Sequence, residues 1–277
     1  MRKTSGSIIC PSCHKLIDVN EPRCPYCNAA RPGLWGFAPV VRNLIGGVGD
    51  LSRLITTACI TLYVLSLLMD PKSMLSMNGM LGILSPSRVS LFILGMTGTP
   101  VWQEGHWWTV LSAIYLHGGL LHIFFNMMWI RQLGPAVEDI YGSARFYIIF
   151  TVAGAVGFIV SNVISGAPTI GASGSIFGLM AALILHGWRA GQSFMTRQMV
   201  TLAVFVGLLG FVIPHVNNYA HIGGFLGGLG AAHVLGAGLR DREGGRDQLL
   251  ALACLIGAAL AIVTSAVVIL RLLASGR

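Results

Sequence analysis

From Gln248 to Leu270 the chain carries no charged side chain. About 20 such residues cross ~30 Å of hydrocarbon, and lipid offers the backbone no partner, so a stretch like this is stable there only as a helix. Comparable apolar runs recur at about 53–69, 117–137, 145–165, 171–189, 197–214, 219–239 and 248–273. Seven membrane helices are therefore expected. Composition agrees: 54% of the residues are hydrophobic and 10% charged, with mean hydropathy +0.73. A soluble domain carries about 25% charged residues. The net charge of +8 then reads as topology. No base-reading motif or basic-aromatic pattern accompanies it, so nucleic acid is not an expected partner.

Residues 70–116 are mixed. "MLGILSPSRVSLFILG" and "GHWWTVLSAIYL" are amphipathic and too broken to span. Trp102, Trp107 and Trp108 suit a membrane interface. This stretch reads as a long interfacial loop with short helices. Residues 34–50, with Pro39, Gly46, Gly47 and Gly49, read as a linker. The start "MRKTSGSIICPSCHK" is basic but lacks a following apolar region, unlike a cleavable signal peptide. With the N-terminus in the cytoplasm, all 18 Lys and Arg but Lys72, Arg88, Arg271 and Arg277 fall inside. That is the positive-inside bias. It places residues 1–33 in the cytoplasm and the 70–116 loop outside.

Polar side chains within spans are unfavourable and usually functional. Their depths can be compared. The spans beginning near Gly171 and Tyr219 both run inward, which sets Ser173 and His221 at nearly the same level. His122 and Asn126, on another inward span, are i and i+4 neighbours, about one to two turns down. His186 and His233 lie about 18 Å deeper at 1.5 Å per residue, and His215 falls in an outer loop. A serine hydroxyl becomes a nucleophile when a base takes its proton, and a neutral imidazole is the natural base. Acyl transfer also needs donors where the oxyanion grows. Asn126, His122 and the Ser173 backbone N–H offer them. No Asp or Glu lies at this depth, so the chemistry expected is a Ser–His dyad without a third member. Each piece alone also fits a bland role. Small residues let helices approach, and single His or Asn residues join helices by hydrogen bonds. The shared depth of all four favours a site.

"HGGLLHIFFNMMWI", "LGPAVEDIYG", "GASGSIFGLM" and "AHIGGFLGGLG" occur in that order. Over about residues 50–240 the chain resembles the rhomboid family of intramembrane serine proteases. The resemblance implies an all-α polytopic fold: a six-helix catalytic domain over 51–243 and an additional C-terminal helix over 244–277. It implies Ser173 as nucleophile, His221 as base, and His122 and Asn126 at the oxyanion site. Gly171 looks like the glycine that leaves room beside the serine, and Gly224 like the one that lets the sixth span press on the fourth. His117 matches a residue that holds the outer loop, and Glu138 one that ties helix ends. The expected reaction is peptide hydrolysis in or near transmembrane segments of membrane-protein substrates, through an acyl-enzyme and without a cofactor at the site. In one respect the chain departs from the pattern. Many bacterial members have Trp-Arg in the outer loop, where this chain has Trp108-Thr109.

Cys10, Cys13, Cys24 and Cys27 form C-x2-C-x10-C-x2-C. Two paired knuckles bring four thiolates onto one ion in a closed structural site, which suits Zn²⁺; iron also accepts such ligands. Two disulfides are the alternative, disfavoured on a reducing cytoplasmic side. The module over 1–33 resembles a zinc ribbon. It is either a docking site for a cytoplasmic protein or a stabilising cap. Cys59 and Cys254 lie in apolar runs and read as inert. The absence of a targeting peptide and the fused ribbon favour a bacterial plasma membrane. Two rival functions remain: a silent rhomboid-like protein that binds transmembrane segments, and a transporter. The first typically lacks the serine or the histidine. The second predicts inverted repeats and a mid-membrane site.

Overall fold

The computed structural model describes residues 3–10, 15–38, 50–75, 84–213, 216–236 and 243–275. Among the described residues, seven long helices follow the apolar runs: α1 Asp50–Leu68, α2 Leu120–Tyr141, α3 Ser143–Ile164, α4 Ser173–Arg189, α5 Ser193–Val212, α6 Asn218–Leu235 and α7 Gly245–Ala274. The protein is an all-α polytopic membrane protein. Among the described residues, α1, α3, α5 and α7 each hold a stretch long and apolar enough to cross a bilayer alone. A fifth such stretch arises if α2 is joined to Thr109–Tyr115, from which it bends by 92°. The span of α3 is 61% buried, whereas those of α5 and α7 are 11% and 17% buried. So α3 is the central post, and α5 and α7 turn apolar surface outward.

Helix α4 is the exception. It has 17 residues, about 25 Å at 1.5 Å per residue, which is short of the hydrocarbon thickness. Its side chains are mostly buried, so its neighbours rather than lipid enclose it. Helix α6 packs most extensively on α3 and α4, along two glycine stripes. Gly223 and Gly227 lie against Val160 and Val156 of α3, while Gly224 and Gly228 lie on the backbone of Gly174 and Gly178 of α4. Residues four apart share a helix face, so each stripe is one seam.

Between α1 and α2, short helices at Arg88–Ile93, Thr99–Gln103 and Thr109–Ser112 cover one end of the bundle. The residues just after the last of these are enclosed by the bundle. Ala113 and Ile114 are fully buried, and Leu116 nearly so. Opposite this end, Glu138 accepts hydrogen bonds from the Ser52 N–H and the Ser143 hydroxyl, each at 3.0 Å. It thereby joins the starts of α1 and α3 to α2, as the resemblance implied. The start of α7 docks there too, through the Arg145–Asp247 ion pair (2.8 Å) and, just before the helix, through the Ala144 N–H donated to Glu243 (2.8 Å).

The N-terminal module is an antiparallel ribbon, β1 Ser7–Ile9 with β2 Leu16–Asp18, in which buried Ile8 faces buried Ile17. Its Ala30 carbonyl accepts from the Gly245 N–H at the start of α7 (3.1 Å). Leu34 and Ala38, just past residue 33, are buried. Residues 39–49, most of the expected linker, lie outside the described residues, as do Cys13, His215, Arg240 and Arg242.

Candidate functional site

Ser173 opens α4 directly after Gly171 and Ala172. Gly171 has φ +120°, a conformation that L side chains rarely adopt, and its N–H is held by the Ala113 carbonyl (2.9 Å). This is why α4 starts at 173 rather than at 171. As the first helical residue, Ser173 has an N–H with no intrahelical acceptor. Across the seam, His221 lies in the first turn of α6. Its Nε2 is 2.9 Å from Ser173 Oγ. The imidazole is 8% exposed and stacks on Phe177, with centroids 4.5 Å apart and planes 18° apart. Phe177 is one turn beyond Ser173, so one face of α4 presents both the hydroxyl and the ring that orients the imidazole. That stack was not anticipated, although the i+4 spacing from Ser173 was available as a signal. His221 Nδ1 has no hydrogen-bond partner among the described residues.

His122 and Asn126 approach from α2. The Gly118 N–H donates to His122 Nδ1 (3.3 Å). With Nδ1 accepting, a neutral imidazole carries its proton on Nε2. That Nε2 faces Gly171: a Cβ built there would sit 2.6 Å from it. Glycine at 171 thus leaves open the space between an N–H donor and the start of α4. Asn126 is buried, and its Nδ2 donates to the His122 carbonyl (2.7 Å). A primary amide has a second N–H, so one donor remains. His117 packs its ring edge-on to His122 at 5.0 Å and is buried, with Nδ1 3.3 Å from the Tyr115 carbonyl. Four of the sequence-predicted polar residues are therefore neighbours: Ser173, His221, His122 and Asn126. An imidazole beside a hydroxyl, with N–H donors around an open space, is suited to nucleophilic attack and oxyanion binding. Separately, a groove of about 500 Å³ lined by Trp129, Gln132, Arg197 and Phe205, among others, lies between α2 and α5. It sits toward the other end of the helices from Ser173.

The covering loop is held without an arginine after Trp108. The Thr109 hydroxyl donates to the His106 carbonyl (2.8 Å) and lies 3.1 Å from the Thr97 hydroxyl. The Trp108 indole donates to Ser265 Oγ on α7 (3.1 Å). The seventh helix thus supplies a partner to the loop. No local sequence signal could have revealed it, because the two residues are 157 apart.

In the module, the sulfur atoms of Cys10, Cys24 and Cys27 lie within 4.8 Å of one another, and Cys10 Sγ is 3.8 Å from Cys27 Sγ. That is too long for a disulfide. It matches the ~3.8 Å edge of a tetrahedron with ~2.3 Å metal–sulfur bonds. No disulfide joins the described cysteines. These three thiols fit a metal ion.

Residues 104–238 match the Rhomboid domain. Over 156 residues the chain is 37% identical to "Rhomboid protease GluP" of Bacillus subtilis (strain 168), covering 55% of this chain and 31% of that protein. It is 34% identical over 161 residues to "RHOMBOID-like protein 5" of Arabidopsis thaliana, covering 55% and 52%. It is 34% identical over 131 residues to "Putative rhomboid protease YdcA" of B. subtilis (strain 168), covering 45% and 65%. The chain spans from about a third to just under two thirds of the length of these relatives.

Proposed function

With a domain of the rhomboid family at residues 104–238, we propose that this protein is an intramembrane serine endopeptidase. It acts by a Ser173–His221 dyad. The observation that carries the reading is the 2.9 Å contact between Ser173 Oγ and His221 Nε2. Similarity to two proteins named as rhomboid proteases supports it. Ser173 Oγ attacks the scissile carbonyl carbon while His221 Nε2 takes its proton. The carbonyl oxygen becomes an oxyanion facing His122 Nε2–H, the remaining Asn126 N–H and the Ser173 N–H. The intermediate collapses, His221 returns the proton to the leaving amine, and an acyl-enzyme on Ser173 remains. Water, activated by the same imidazole, releases the acyl product.

The substrates are transmembrane proteins, cut where a helix unwinds to expose its backbone. A helix keeps its carbonyls bonded until it unwinds. The distribution of Lys and Arg sets the module in the cytoplasm, with the site opening to the opposite side. A bacterial plasma membrane fits this arrangement. The domain limits that follow are 1–33, 34–50, 51–243 and 244–277.

A fluorophosphonate probe is expected to label wild-type protein on Ser173, and a transmembrane substrate in liposomes to be cut. Ser173→Ala should lose both. Labelling that persists in Ser173→Ala would sink the assignment of the nucleophile. Absence of both labelling and cleavage in folded wild type would favour the silent binder.

Cys10, Cys24 and Cys27, with Cys13 as fourth ligand, would hold Zn²⁺ as a structural ion. Bound there, the metal supplies folding energy to a module too small for a core of its own. Metal analysis of purified chain should find about one zinc per chain, lost in Cys24→Ser. Iron, or no metal, in the wild type would overturn this.

A further inference from the structure

A single amide joins the helix of His221 to the connection that carries Ser173. Asn217 is the N-cap of α6. Its Oδ1 accepts from the Ala220 N–H (3.2 Å), and its backbone carbonyl accepts from the His221 N–H (3.3 Å). Its Nδ2 donates to Ser161 Oγ (2.6 Å) and Thr169 Oγ1 (2.9 Å), with Ser165 Oγ more distant at 3.4 Å. Ser161 is fully buried near the end of α3. Thr169 lies two residues before Gly171, and it exchanges both backbone hydrogen bonds with Thr97 of the covering loop (2.8 and 3.3 Å).

The polarity of these bonds restricts the side chain. The Thr169 hydroxyl donates to the Ala167 carbonyl (2.8 Å), and that of Ser165 to the Ser161 carbonyl (3.1 Å). Both therefore turn lone pairs toward residue 217. An ordinary N-cap needs an acceptor alone, and Ser, Thr or Asp provide one as well as Asn does. The position here also needs two donors on the same group, for Ser161 and Thr169, and among the good caps only Asn has two. The donors add nothing to α6 itself. They fasten its first turn to the end of α3 and to the 165–171 connection.

We infer that Asn217 is a positioning residue for the Ser173–His221 pair, holding the first turn of α6 at the level of Ser173. The inference rests on reading that pair as the catalytic dyad. Reaction rate is sensitive to placement on the scale of 1 Å, and nucleophile and base here sit on different helices. The interhelical seam controls their lateral spacing, through Gly224 and Gly174. Asn217 controls the sliding of α6 along that seam, which backbone packing between glycines resists poorly.

The test uses the full chain in liposomes with a transmembrane substrate. Asn217→Ser keeps an N-cap oxygen and replaces two amide donors by one hydroxyl proton, so the ties to Ser161 and Thr169 cannot both be made. It is expected to lower kcat about tenfold or more with KM within about twofold, at an almost unchanged melting temperature. Ser161→Ala with Thr169→Val, which leaves Asn217 and its cap in place, should give the same loss. Adding Asn217→Ser to that pair should lower kcat little further, because one link is removed in both cases. Wild-type kcat in folded Asn217→Ser, or in the Ser161/Thr169 variant if Asn217→Ser does not fold, overturns the proposal. Should wild type cut nothing, the dyad reading fails, and the tie is judged by hydrogen exchange. Faster exchange in Asn217→Ser at residues 171–176 as well as in the first turn of α6 supports it. Unchanged exchange at 171–176 overturns it.

Discussion

His221→Ala is expected to leave the bundle folded and to slow peptide-bond cleavage by about 10²–10⁴-fold, the usual contribution of a positioned base. The effect should appear in kcat, because the imidazole acts on the Ser173 proton and not on the substrate's resting contacts. Fluorophosphonate labelling should slow in parallel, since it depends on the same proton transfer. The fold should survive. Among the described residues His221 makes one side-chain hydrogen bond, to Ser173, and one ring stack, on Phe177, so its truncation removes little from the α4–α6 seam. That seam is glycine on glycine. His122→Ala should come second, at about 10²–10³-fold for a single oxyanion donor. Asn126→Ala should be milder still in kcat, because one of its two N–H groups is already spent on the His122 carbonyl. This ranking separates roles that a list of polar residues cannot. A His221→Ala protein that is folded and within threefold of wild type would remove His221 from the chemistry. An Asn126 effect larger than that of His221 would shift the centre of the site to α2.

The contact at the candidate site was legible because helical rise is fixed. Ser173 and His221 could be set at one level by counting residues from the starts of two apolar runs that share a direction, and they lie in contact. Glu138 and Gly224 were legible as members of recognisable blocks. Other features leave no periodic trace. The expected span at 117 begins at Leu120, because His117 folds inward against His122. Residues 70–116 read as an interfacial loop from their tryptophans and broken apolar pattern, and within them Ile114 is fully buried. A short 3₁₀ and α-helical turn can bury several consecutive residues, which amphipathic spacing does not reveal. The Trp108–Ser265 and Asn217–Thr169 bonds join residues distant in sequence through small polar groups. Asn217 had one signal, a capping residue just before an apolar helix. That signal marks where α6 starts and says nothing of the partners of the amide.

Gly224→Val is expected to be strongly damaging, and Gly230→Val on the same helix to be close to neutral. Both replace glycine by the same β-branched residue, so any change in helix propensity, of order 0.5 kcal/mol, is common to both. What differs is the neighbour. A Cβ at 224 would lie 2.6 Å from the Gly174 carbonyl carbon and 2.7 Å from its Cα, and these are backbone atoms with no rotamer to change. At 230 nothing lies within 4 Å. Carbon atoms rest at about 3.5–4.0 Å, so α6 must move away from α4 by about 1 Å before valine fits. Overpacking that side chains can absorb costs about 1–3 kcal/mol. Here two backbones face each other and little can give, so a loss above ~3 kcal/mol is expected. The same movement draws His221 away from Ser173, because the histidine is less than one turn from Gly224 on α6. The variant that does fold should therefore be inactive as well. A thermal melt and a cleavage assay on both variants decide the matter. If Gly224→Val keeps wild-type activity and melting temperature, the close α4–α6 approach does not set the site. If Gly230→Val is equally damaging, the loss comes from valine in the helix and not from the seam.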